Sequence, residues 1–105
     1  MKLILAGGAE IDLTTFTSNS FVSHADTFLE ASNNYNTIVR GLSEVQIEDD
    51  GEVVYSATGL ISDGVQIMVD SNGGFTAIYY FHGAKAATVE DEYSQVGRIV
   101  MGVEA

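Results

Sequence analysis

The sequence predicts an α+β domain: an N-terminal β-hairpin, one α-helix, then a four-stranded antiparallel meander with the helix packed on one sheet face. Three observations carry this expectation. Apolar and polar residues alternate with period two around Gly7-Gly8, and again from Glu44 to Phe81. Between those stretches Phe28, Ala31, Tyr35, Ile38 and Leu42 recur at spacings of 3, 4, 3 and 4, the stripe that one helical face presents. Clusters of Asp, Ser, Asn and Gly then interrupt the second alternating stretch where turns are needed.

The opening MKLILAGGAEIDL places Leu3 and Leu5, then Ile11 and Leu13, on one side of two short runs joined by Gly7-Gly8. Thr14 to Val22, rich in Thr, Ser and Asn, is expected to continue as an irregular or bulged strand. Ser23 reads as a helix N-cap with Asp26 three residues on, which makes His24 a first-turn residue. The helix is expected from about Ala25 to Val39. SNNYN (Ser32 to Asn36) lowers its propensity, and Gly41 ends it.

In the meander Val45 and Ile47 alternate with Glu44, Gln46 and Glu48, and Asp50-Gly51 signals a tight hairpin. Val53, Tyr55 and Ala57 form the return strand. Ser62-Asp63-Gly64 and Asp70 to Gly74 are read as the second and third turns. Val65, Ile67 and Val69, with Phe75, Ala77, Tyr79 and Phe81, make up the inward set. Residues 1–83 form one domain in this reading, and 84–105 an extension. Val89, Tyr93, Val96 and Val100 would suit a helix there, and Ile99, Met101 and Val103 a strand, packing on the domain or on a neighbouring subunit.

Composition removes several function classes. The 105 residues hold 46% hydrophobic and 10% aromatic side chains, enough for a core, and no Cys, so disulfides, thiolate nucleophiles and Cys-zinc sites are excluded. Fifteen acids against four bases give a net charge of −11. The bases Lys2, Arg40, Lys85 and Arg98 are scattered singly, so direct nucleic-acid binding is not expected. No run approaches the ~20 apolar residues of a membrane span. Met1 to Leu5 is too short for a secretory signal, so the expected location is the cytoplasm, or a larger assembly built there.

QIEDDGEVVY is the stretch that most resembles chemistry. A calcium loop needs ligands at alternating positions and a closing carboxylate, which this spacing lacks. The reading is instead a charged hairpin whose acids Glu44, Glu48, Asp50 and Glu52 share a solvent-facing side. DSNGG at Asp70 likewise has no closing Glu. His24 and His82 stand in no catalytic motif, and no cofactor or metal site is expected. Met68, Ile78 and Tyr80 fall opposite the inward set. They form an apolar patch to be covered either by a second layer of the chain or by another molecule.

The layout resembles a group of small acidic proteins encoded by bacteriophages and prophages of Gram-positive bacteria. MKLILAGGAEIDL, HADTFLEASNNYN, GLSEVQIEDDGEVVY and FTAIYYFHG carry the resemblance over about residues 1–83, while SNNYN and the stretch past Lys85 depart from the pattern. It implies a tail-region virion or assembly component without enzymatic activity, and it transfers no functional residues. The expectation is a non-enzymatic structural or protein-interaction module that associates with itself or with a protein partner. The alternative is an acidic inhibitor docking on a basic groove of a host nucleic-acid-binding or defence protein. Glu44, Glu48, Asp50, Glu52, Met68, Ile78 and Tyr80 are the candidate interaction residues.

Overall fold

The computed structural model describes residues 1–83; the expectations for 84–105 lie outside them. The described residues are α+β, with one helix and two four-stranded antiparallel sheets. The strands are β1 (Lys2–Ile4), β2 (Glu10–Asp12), β3 (Thr15–Thr17), β4 (Ser20–Ala25), β5 (Glu44–Asp49), β6 (Glu52–Thr58), β7 (Leu60–Val69) and β8 (Phe75–Gly83). Helix α1 (Phe28–Arg40) connects β4 to β5. The first sheet has the order β2-β1-β5-β6 and the second β3-β4-β8-β7.

The four strands after the helix therefore do not form one meander. Each half pairs as a hairpin, β5 with β6 and β7 with β8, but the two hairpins belong to different sheets. Gly59 (φ 66°) makes the crossing in a single residue, with its N–H held by the Ser43 carbonyl at 3.0 Å. A second crossing at Leu13-Thr14 joins β2 to β3. The chain thus ties both edges of one sheet to the edges of the other, as strands do when they turn the corners of a packed sandwich. The Ser62-Asp63-Gly64 turn is also corrected. It is a bulge within β7, with Asp63 left unpaired between Ser62↔Phe81 and Gly64↔Tyr80.

Ser23 is not the helix cap. It lies in β4 opposite Ala77, buried between the inward residues Phe21 and Ala25, and His24 is a strand residue opposite Thr76. The cap is Thr27, whose hydroxyl accepts the Glu30 N–H at 3.0 Å, while the Glu30 carboxylate accepts the Asp26 N–H at 2.9 Å. Gly41 does end the helix, but at φ −115°. A Cβ there would stand 2.6 Å from Leu5 Cβ, so glycine is required by the close approach of β1's exit, not by a left-handed cap. Thr14 to Val22, expected as one irregular strand, is the β3–β4 hairpin.

The core lies between the layers. Leu3, Ile11, Val45 and Ile47 come from the first sheet, Phe21, Ala25, Ala77, Tyr79 and Phe81 from the second, and Ala31 and Ile38 from the helix. Phe21 stacks on Phe81 at 4.3 Å and meets Tyr55 of the opposite sheet edge-on at 6.4 Å. Tyr35 of the helix lies parallel to Tyr79 at 6.5 Å. The helix and the first sheet thus share the inner face of the second sheet. Val69 belongs to this inner face by its pairing with Phe75, yet it is 81% exposed because the sheet end overhangs the core.

Candidate interaction surfaces

Covering the inner face of the second sheet leaves its outer face open. Pairing aligns Val22, Ile78 and Gln66 across β4, β8 and β7. The neighbouring rows are Ser20, Tyr80 and Gly64 on one side and His24, Thr76 and Met68 on the other. No described element packs on this surface. The expected grouping of Met68, Ile78 and Tyr80 is therefore present, and Val22 extends it. Sequence reasoning missed Val22 because its strand was read as irregular. The Tyr80 hydroxyl donates to Gln66 Oε1 at 3.1 Å, which holds the ring along the sheet.

A His–Asp pair closes each end of this apolar strip. At one end His82 Nδ1 lies 2.7 Å from the carboxylate of the bulged Asp63. At the other, His24 Nδ1 is 3.2 Å from Asp70 Oδ2, and its Nε2 is 3.5 Å from Asp26. Asp70 also accepts the Asn72 N–H at 2.9 Å and the Thr76 hydroxyl at 3.4 Å. Those bonds, the Asn72 N–H foremost, hold the Asp70 carboxyl below its ordinary range. The carboxylate in DSNGG is thus spent on ordering its own turn. Among the described residues no three His, Asp or Glu side chains converge on a point that could hold a metal ion.

The acidic hairpin is resolved differently from its expectation. Asp50 (φ 55°) and Gly51 (φ 80°) form the two-residue turn, both left-handed as a type I′ connection requires. On the strands the acids do not share one side. Glu48 pairs with Val53 and Asp49 with Glu52, because a bulge at Val54 shifts the register between Ile47↔Tyr55 and Glu48↔Val53. Glu52 therefore sits on the side of Asp49, away from Glu44 and Glu48. The acids that do share a surface with Glu44 and Glu48 are Glu10 and Asp12 of β2, across β1.

Lys2 is placed between Asp12 and Glu48 on that outer face, with its Nζ 3.2 Å from Glu10. The Glu10 hydrogen bond and charge, with smaller contributions from Asp12 and Glu48, raise the Lys2 pKa. Two shallow, open depressions of about 230 and 260 Å³ flank Glu44 and Gln46, one against Ile4 to Gly7 and one against Ser56 to Thr58. The second brings the Thr58 hydroxyl opposite the Glu44 carboxylate across the β5–β6 pair. No described helix is long and apolar enough to cross a membrane.

A third surface lies where the helix starts. Phe28 is 58% and Leu29 68% exposed, and Phe28 meets Phe75 edge-on at 6.2 Å beside the open Val69. Comparison with known proteins adds no relative: no family model, no curated protein and no solved structure matches the chain.

Proposed function

We propose that this protein is a non-enzymatic protein-interaction module that works through the outer face of its second sheet. The carrying observation is the strip of half-buried Val22, Ile78 and Tyr80 with the more exposed Met68, while the opposite face of the sheet carries Phe21, Ala77, Tyr79 and Phe81 of the core. A sheet with apolar side chains on both faces is ordinarily covered on both. The resemblance of residues 1–83 to small acidic phage proteins gives the module a setting, as a virion or assembly component. The test is sedimentation velocity of the full chain over a concentration series, beside Ile78→Glu and the milder Ile78→Thr. The reading expects association that both variants weaken while circular dichroism stays native. A wild-type chain that remains monomeric throughout removes its main support.

The acidic outer face of the first sheet supports a second reading, an inhibitor that occupies a basic groove. Glu10, Asp12, Glu44 and Glu48 surround the single cation Lys2, and such a face attracts a basic partner strongly only at low salt. A basic nucleic-acid-binding protein captured at low salt and released at high salt would support it. Capture that is indifferent to salt, or unaffected by Glu44→Gln with Glu48→Gln, would reject it.

A further inference from the structure

The three most exposed large apolar side chains among the described residues are Val69, Leu29 and Phe28, and they lie together at one end of the molecule. Register brings them there. Phe75 pairs with Val69 in the second sheet, and the Phe28 ring meets Phe75 edge-on at 6.2 Å. Leu29 is the next residue along the helix. None of the three belongs to the core or to the side chains packed against it. With Thr27 as the cap, Phe28 and Leu29 fill the first two helical positions, where polar and acidic residues suit the unpaired N–H groups and the helix dipole. An exposed leucine there breaks a local preference with no compensating contact among the described residues, and such departures mark functional sites.

Acids surround this patch. Asp26 and Glu30 flank Phe28-Leu29 in sequence, and Asp70 directly follows Val69. His24 lies between the Asp26 and Asp70 carboxylates, at 3.5 and 3.2 Å. Lys and Arg occur among the described residues only as Lys2 and Arg40. Lys2 is held by Glu10 on the first sheet, and Arg40 ends the helix, about 18 Å along its axis from Phe28. We propose that Phe28, Leu29 and Val69 form a docking site for a segment of a protein partner that carries apolar side chains flanked by Lys or Arg. Charge selects this occupant, because the acidic rim attracts cations placed beside an apolar anchor. A second copy, with its net charge of −11, would set acid against acid. An anionic lipid surface or a nucleic-acid backbone is repelled in the same way. The site lies on the overhanging inner side of the second sheet, apart from the outer strip of Val22, Ile78 and Tyr80. The inference therefore goes beyond the proposed module and gives it a second contact of different chemistry.

The test selects random linear peptides, displayed on yeast, against the full chain, then titrates the synthesised winners by fluorescence anisotropy. The expected result is a shared pattern of Leu or aromatic residues next to Lys or Arg, with affinity that falls several-fold as salt rises. Leu29→Ser and Val69→Ser alter side chains outside the core, so native circular dichroism is expected of both. Each should weaken peptide binding about tenfold. Asp26→Asn combined with Glu30→Gln, which keeps the oxygen that accepts the Asp26 N–H, should weaken binding and flatten its salt dependence. Val53→Ser, which removes an exposed apolar side chain from β6, should leave binding unchanged. No selected peptide, a pattern without basic residues, or affinity indifferent to Leu29→Ser and Val69→Ser overturns the proposal. Binding of phosphatidylserine vesicles that Leu29→Ser removes would assign the patch to a membrane and overturn it too. Peptide binding here and association through Ile78 are read in separate measurements, so either can fail alone.

Discussion

The Ser23 hydroxyl donates to the Tyr79 hydroxyl at 3.2 Å, and Tyr79 in turn donates to the Ala31 carbonyl at 3.5 Å, so one buried chain of polar atoms ties β4, β8 and the helix together. Burial raises the Tyr79 pKa by disfavouring the phenolate. Tyr79→Phe leaves the Ser23 hydroxyl buried without its partner, at a cost of about 1–2 kcal/mol in urea unfolding. Adding Ser23→Ala to it should recover much of that loss, because an apolar pair leaves nothing unsatisfied. A double variant whose loss is simply the sum of the two singles would show that the bond carries no coupling.

Gly41 and Gly83 offer a contrast. Both lie outside the left-handed region, so an added Cβ is judged by space alone. At Gly41 it would meet Leu5 Cβ at 2.6 Å, while at Gly83 no described residue lies within 4 Å. Gly41→Ala should destabilise by about 1–3 kcal/mol through forced displacement of β1. Gly83→Ala should be neutral or stabilise by up to about 1 kcal/mol by restricting the unfolded chain. Thermal unfolding of the two variants side by side checks the ranking.

The tight hairpin makes a backbone prediction of the opposite kind. Gly51 has open space around it but a φ of 80°. Gly51→Ala should cost about 1–2 kcal/mol from conformation alone, while Asp50→Asn, which tolerates the left-handed region, should be near neutral. Chemical denaturation distinguishes them, and equal losses would argue that the Asp50 charge, not the turn geometry, matters here.

Period-two alternation made β5 to β8 legible, because one face of each is buried and the sequence repeats that asymmetry every second residue. The same logic failed wherever a bulge intervened. Asp63-Gly64 reads as a turn because Asp and Gly serve both turns and bulges, and Val54 is an unremarkable valine whose extra residue moves Glu52 to the other side of its sheet. β4 was obscured by Ser23, a polar residue at an inward position whose partner, Tyr79, is 56 residues away. The sheet change at Gly59 left almost no trace, since one glycine between two alternating runs looks like any tight connection. For the candidate surface, Met68, Ile78 and Tyr80 were legible together because all three lie beyond the β7 bulge, where parity holds.

Thr27 gives a direct check on where the helix begins. Its hydroxyl holds the Glu30 N–H, so Thr27→Ala should cost about 1 kcal/mol, and Thr27→Ser should retain most of the stability. Asp26→Ala should cost less, since only its backbone N–H is used in the capping arrangement. If Asp26→Ala proved the more damaging of the two in thermal unfolding, the cap would be misplaced.

Asp70 sets the acid limit of this end of the sheet. Its carboxylate accepts the Asn72 N–H, then bonds from His24 and the Thr76 hydroxyl, and these hold its folded pKa below the ordinary 3.8. A depressed carboxyl pKa contributes stability that is fully present above the unfolded value and is lost as pH falls through the folded one. Wild type should therefore be more stable than Asp70→Asn at neutral pH, and the difference should close only below 3.8, as the proton returns. Because the Asn72 N–H is the largest cause, His24→Gln should narrow the difference without abolishing it. Urea midpoints across the acid range make the comparison. A wild-type advantage that persists unchanged to the most acidic conditions would mean that Asp70 acts through its shape in the turn and not through its charge.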